Sequence, residues 1–206
     1  IKTVCYNFMP VLDWTRSNLA YVLPDGSDVL CDKHFEVAAF DLFSLKRPNA
    51  ARDYDEETRD RAKTLWEKLP PSERTRIEKS ILLGLPGTVD DLTPAEFLKQ
   101  LDAYRDIGEE TLRAHLYGFL NEITPVLEET GVKMAIHPDD PPRPLFGLPR
   151  VLSNATDIRR MCRECPSTNV GLTLCTGSLG GSLDNDEVIL AVENTPTYKR
   201  SKQKLN

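Results

Sequence analysis

The run Val132-Lys133-Met134-Ala135-Ile136 has the length and residue types of a buried strand, and it stops abruptly at His137. Ahead of it, Leu112, Leu116, Phe119, Leu120, Ile123 and Leu127 recur at helical spacing between Glu109 and Thr130. Gly131 closes that helix, because glycine takes the left-handed backbone conformation without steric penalty. A helix that passes directly into a strand is a building step of α/β folds. Pro125 is expected to kink or break the helix, and His115, one residue before Leu116, reads as a surface or packing histidine.

A second step of the same kind follows. Ser153 and Asn154 can cap a helix that runs to about Cys165 and ends at Pro166, and Asn169–Leu174 is a short apolar strand that leads to Cys175. Two successive helix–strand units therefore each present a metal-competent side chain at a strand's C-terminal end, where α/β proteins place their chemistry. Neighbouring strands lie about 5 Å apart, so His137 and Cys175 can share one cation if their strands are adjacent. Between the units, Pro138, Pro141, Pro142, Pro144 and Pro149 stiffen a loop that carries Asp139, Asp140, Arg143 and Arg150. Such a loop suits an anionic, oxygen-rich ligand or a metal, and it is equally compatible with a structural loop whose charges are solvated. Ser178 with Gly177, Gly180 and Gly181 can bring donors to an anion.

Elsewhere, Thr3–Phe8 reads as a strand ended by Pro10, with Asn7 and Asp13 at or just past its C-terminal end. Pro24-Asp25-Gly26 marks a hairpin or loop. From about residue 32 to 107 the chain is mostly helical and polar. Asp55–Lys68 is one helix, and a second runs from Ser72 to Gly84. A third starts at Thr93-Pro94-Ala95-Glu96, with Thr93 as cap and Glu96 completing the capping box.

Composition excludes some functions. The formal net charge is −6, which argues against nucleic acid or an anionic membrane surface as partner. No apolar run has the length of a transmembrane helix, so a cytoplasmic location is expected. The five cysteines are odd in number and scattered, which argues against a disulfide framework. Cys162 and Cys165 have half the spacing of a zinc knuckle, and a helical i, i+3 pair explains them as well. The basic cluster Lys199–Lys204 is compatible with nucleic-acid contact or with a disordered terminus.

The stretch MAIHPDDPPRPLFGLPR resembles the signature of mannonate dehydratases, and so do VCYNFMPVLDWTRSNLAYVLPDGS near the start and LTLCTGSLGGSLDND near the end. AFDLFSLKRP and GLPG lie between them in the family's order, and the resemblance covers Ile1 to Asp186. It implies an α/β chain, part of a xylose isomerase-like TIM (β/α)8 barrel. About three barrel strands are expected within residues 1–186, with a large helical excursion at about 32–107 and a divergent, disordered tail at 187–206.

The resemblance also implies the chemistry: metal-dependent removal of water from D-mannonate to give 2-keto-3-deoxy-D-gluconate in hexuronate breakdown. His137 and Cys175 match two of the family's metal ligands, with manganese, Fe2+ or another divalent ion as cofactor. A thiolate is an unusual manganese ligand on softness grounds. Asn7 and Trp14 fall near the substrate side, and packing is an equal reading of Trp14. Asp139, Asp140, Arg143, Arg150 and Ser178 are substrate-binding candidates, the arginines because a guanidinium can hold both oxygens of a carboxylate.

Departures matter as well. The family's first barrel strand with its histidine-rich turn, and the later segments with further metal-binding and acid–base residues, have no counterpart here. The chain opens at Ile1 inside a strand-like run, so a truncated member lacking part of its metal site is expected, with no catalytic residue assigned. The alternative is a non-catalytic remnant that binds a sugar acid or a protein partner. The chain is also compatible with a homo-oligomer.

Overall fold

The computed structural model describes residues 2–12, 14–83, 92–182 and 185. In chain order the described elements are strands β1 (Lys2–Asn7), β2 (Asn18–Val22) and β3 (Asp28–Cys31), then helix α1 (His34–Ala39), which runs into a π-helical turn at Phe40–Leu45. After a 3-10 turn at Ala50–Asp53 come α2 (Glu56–Lys68), α3 (Pro71–Leu82), α4 (Pro94–Asp102), α5 (Glu109–Thr130) and β4 (Val132–His137). The series closes with α6 (Ala155–Glu164), β5 (Val170–Leu172) and α7 (Thr176–Leu179). They divide into two compact units.

The first unit comprises Ile1–Met9, Ile107–Arg143 and Pro149–Asn206. Its sheet has the order β1-β4-β5, all parallel. α5 buries Leu112, Leu116 and Leu120, and α6 buries Ile158 and Met161 in the same core as Ile136. Gly131 adopts φ +67° and ends α5 where the sequence places the stop. The helix does not break at Pro125; it continues for five more residues to Thr130. Leu127, two residues beyond Pro125, is buried, so packing holds the helix despite the missing amide donor. β5 spans Val170–Leu172, shorter than the Asn169–Leu174 run suggests.

The stripe on α5 also holds a charge that its periodicity did not reveal. Arg113 is buried, donating to Asp157 at 2.8 Å and Glu109 at 2.7 Å, and also to Glu110. Asp157 in turn accepts from the Ser153 amide at 3.0 Å. This ion cluster ties α5 to the start of α6.

The second unit comprises Pro10–Asp106 and Pro144–Leu148. β2 and β3 form the antiparallel hairpin expected around Pro24-Asp25-Gly26, where Gly26 takes φ +85° and Asp25 accepts from the Ser27 amide at 3.0 Å. Asp55 caps α2, and the Thr93 capping box at α4 forms as expected. The expected stop at Gly84 and the GLPG segment lie outside the described residues, as do Asp13 and the tail 187–206.

The core of this unit centres on Phe40, Ile77, Ile81, Phe97 and Phe146, with Phe97 and Phe146 edge-on at 5.2 Å. Asp41 is fully buried and accepts from Arg47 at 2.8 Å and from the Tyr54 hydroxyl at 2.9 Å. Gly147 has φ +76°, and a Cβ there would stand 2.8 Å from Arg47 Nη1. Gly147→Ala is therefore expected to destabilise this unit by about 1–2 kcal/mol from the left-handed backbone alone, with displacement of Arg47 adding to it. A urea unfolding midpoint unchanged by the substitution would contradict this.

Candidate active site at the strand ends

Parallel pairing brings the candidate residues of the first unit to one edge. Asn7 is the register partner of His137, and the Thr173 amide donates to the Ile136 carbonyl at 2.8 Å, so the chain leaving β5 passes beside the end of β4. Cys175 follows two residues later, at the N-terminus of α7. On the same sheet, Cys5 Sγ lies 3.2 Å from Thr173 Oγ1, a contact absent from the sequence-based candidates.

His137 is half-buried, and its Nδ1 lies 2.8 Å from the Pro138 carbonyl oxygen. A carbonyl only accepts, so Nδ1 carries a proton, and in the neutral imidazole Nε2 is the atom with the lone pair. Cys175 accepts a hydrogen bond from Ser178 Oγ at 3.2 Å, and Ser178 is buried. This places Ser178 in support of the thiol.

Asp139 is similarly committed. It is 2% exposed, and Oδ2 accepts from the amides of Val151 at 2.8 Å and Leu152 at 2.7 Å and from Ser153 Oγ at 3.0 Å. Burial pushes its carboxyl up, while the Arg150 charge and these donors pull it back. Arg150 is 5% exposed, and none of its three guanidinium nitrogens has a hydrogen-bond partner. Its charged neighbours are Asp139, Asp140 and Arg143. Buried polar groups are normally paired, so an unpaired guanidinium marks a place where an acceptor is wanted.

The loops after β4 and β5 touch. A Cβ on Gly181 would stand 3.1 Å from Pro142 Cδ, and the buried Asn185 side chain donates to both Ser153 O and Leu179 O at 2.8 Å. Trp14 belongs to the second unit, where it is buried under the Arg16 guanidinium at 4.9 Å. His115 is exposed on α5, the surface alternative of its two readings.

The cysteine pair at the end of α6, Cys162 within the helix and Cys165 capping it, does not have the character of a reactive dithiol. Cys165 is buried and its thiol is pushed up to about 11 by burial. At neutral pH Cys165 is thus expected to resist iodoacetamide in the folded chain while the exposed Cys5 is labelled. Peptide mapping that finds both labelled equally fast would contradict this.

A family model described as D-mannonate dehydratase (UxuA) matches residues 1–197. The chain belongs to the mannonate dehydratase family. It is 48% identical over 193 residues to a mannonate dehydratase of Saccharophagus degradans, covering 94% of this chain and 49% of that protein. A Marinomonas mannonate dehydratase is 48% identical over 188 residues, with 91% and 48% covered. Among solved structures, mannonate dehydratase from Streptococcus suis serotype 2 superposes with a TM-score of 0.60 at 34% identity, covering 94% of this chain and 41% of that one. The chain thus spans about half the length of the curated mannonate dehydratases it matches.

The strand-end donors suit a divalent transition ion in type, an imidazole with Nε2 available and a thiol. Among the described residues no three His, Cys, Asp or Glu side chains gather into a metal-binding group.

Proposed function

We propose that the chain is part of a metal-dependent mannonate dehydratase built on a xylose isomerase-like TIM barrel, acting on D-mannonate in hexuronate catabolism. The supporting observation is the alignment of Asn7, His137 and the approach to Cys175 along one edge of three parallel strands. In the reaction the sugar acid loses the proton next to its carboxylate and the neighbouring hydroxyl leaves as water; the resulting enol becomes the 2-keto product.

A divalent ion, manganese or Fe2+, would be held by His137 Nε2 and Cys175 Sγ, and when bound it makes the proton beside the carboxylate easier to remove. The Pro138 carbonyl fixes the His137 tautomer, and Ser178 steadies the thiolate. Arg150 and Arg143 receive the sugar acid's oxygens, with Asp140 accepting from its hydroxyls and Asn7 adding a polar contact beside His137. Asp139 acts behind them as a support of the loop. Trp14 is a further substrate-side residue by family resemblance. No residue of this chain is assigned as catalytic acid or base. A cytoplasmic location and a homo-oligomer fit a sugar-acid enzyme, and no described helix is long and apolar enough to cross a membrane.

The second reading is a non-catalytic chain that binds a sugar acid or a protein partner. Assay of the purified chain with D-mannonate and manganese separates the two. Formation of 2-keto-3-deoxy-D-gluconate supports the enzyme, whereas saturable D-mannonate binding without turnover supports the binding protein. Neither turnover nor binding would count against both.

A further inference from the structure

The two donors sit on separate loops, and a continuous chain of buried polar contacts runs between those loops. It begins next to His137: the Asp139 amide donates to Leu152 O at 3.0 Å, and Asp139 Oδ2 accepts from Val151, Leu152 and Ser153. The Ser153 carbonyl then accepts from Asn185 Nδ2 at 2.8 Å, and the same Nδ2 donates to Leu179 O at 2.8 Å. Leu179 closes the chain, since its amide donates to the Cys175 carbonyl at 3.1 Å. Asp139, Ser153 and Asn185 are each buried below one-tenth exposure. Gly181 faces the Pro142 ring, a further close approach between the same two loops.

We infer that Asn185 is a positioning residue: through the relay Asp139–Ser153–Asn185–Leu179 it sets the spacing of His137 and Cys175. The inference rests on the proposed role of that pair as metal donors. A single amide nitrogen shared by two carbonyls from different loops holds both at once, and side-chain packing alone has no such directionality. Supporting groups of this kind tune metal sites by holding the ligands in place.

Cobalt(II) titration of the 206-residue chain tests it, read by the thiolate-to-cobalt charge-transfer absorption that reports Cys175 in the coordination sphere. Asn185→Ala is expected to weaken cobalt binding roughly 10–100-fold, with the helical circular dichroism spectrum retained. Leu127→Ala, a buried truncation outside the relay, is expected to lower stability and leave cobalt affinity unchanged. Wild-type affinity in Asn185→Ala, or equal weakening by Leu127→Ala, would overturn the inference.

A cobalt-free readout keeps the test independent of the metal reading. In a His137→Cys background, a short bifunctional thiol reagent should link position 137 to Cys175, mapped by peptide mass, and adding Asn185→Ala should slow that link severalfold. If the parent chain shows no Cys175-dependent cobalt absorption, the metal reading fails and the crosslink alone decides. A rate unaffected by Asn185→Ala then overturns the positioning role.

Discussion

Replacing Asp139 by alanine is expected to destabilise the first unit by about 3–5 kcal/mol, since three donors lose a buried acceptor at roughly 1–3 kcal/mol each. Two effects combine. The amides of Val151 and Leu152 and the Ser153 hydroxyl lose their acceptor in a place that water does not reach. Arg150 loses one of its two neighbouring carboxylates while its guanidinium stays buried. Against the roughly 5–15 kcal/mol stability of an ordinary domain, the loss is large. Urea unfolding with tryptophan-independent detection, such as far-ultraviolet circular dichroism, measures it. Asp139→Asn should lie between the two, since one acceptor oxygen remains while the charge is gone. A loss below about 1 kcal/mol, the size of a single ordinary hydrogen bond, would show that the carboxylate does not hold the loop.

His137→Ala is expected to act the other way round, on ligand binding with little effect on folding. The imidazole is only half-buried, and its hydrogen bond goes to the carbonyl of the next residue, so the core does not depend on it. In the proposed site it is one of the two metal donors. Its removal should weaken divalent-metal binding by more than the roughly 10–100-fold that loss of a supporting group costs. Metal content after dialysis against manganese, compared with the unfolding midpoint of the same samples, separates the two effects. Undiminished metal with a wild-type midpoint would remove His137 from the site.

Much of what positions these residues was legible in the sequence, because it was local. Gly131, the α5 stripe, Asn154 ahead of α6 and the Thr93–Glu96 pair are short-range signals, and each forms the expected cap or helix. His137 could be placed at a strand end for the same reason, whereas Cys175 lies three residues past β5, as the N-cap of α7. The adjacency of β4 and β5 was a condition of the reading that only tertiary structure could meet.

Features set by distant partners were hidden. Arg113 occupies an apolar face because Asp157, 44 residues away, accepts from it. Asn185 lies in a polar stretch with no periodic signal, and its partners are 32 and 6 residues away. The aspartates after His137 look alike in sequence, yet Asp139 is fixed by the amides of residues 151 and 152. Of the kink or break expected at Pro125, the break does not form: α5 runs on to Thr130, with burial on both sides at Leu120 and Leu127. The length of β5 followed the same rule, since pairing with β4 ends at Leu172 whatever the residues beyond it prefer.

The most direct test is a crystal structure of this chain grown with manganese, with anomalous diffraction used to locate the ion. The account predicts an anomalous peak within coordination distance of His137 Nε2 and Cys175 Sγ, on the edge where Asn7 pairs with His137. A peak coordinated by other residues, or none at those two atoms at saturating manganese, would contradict it.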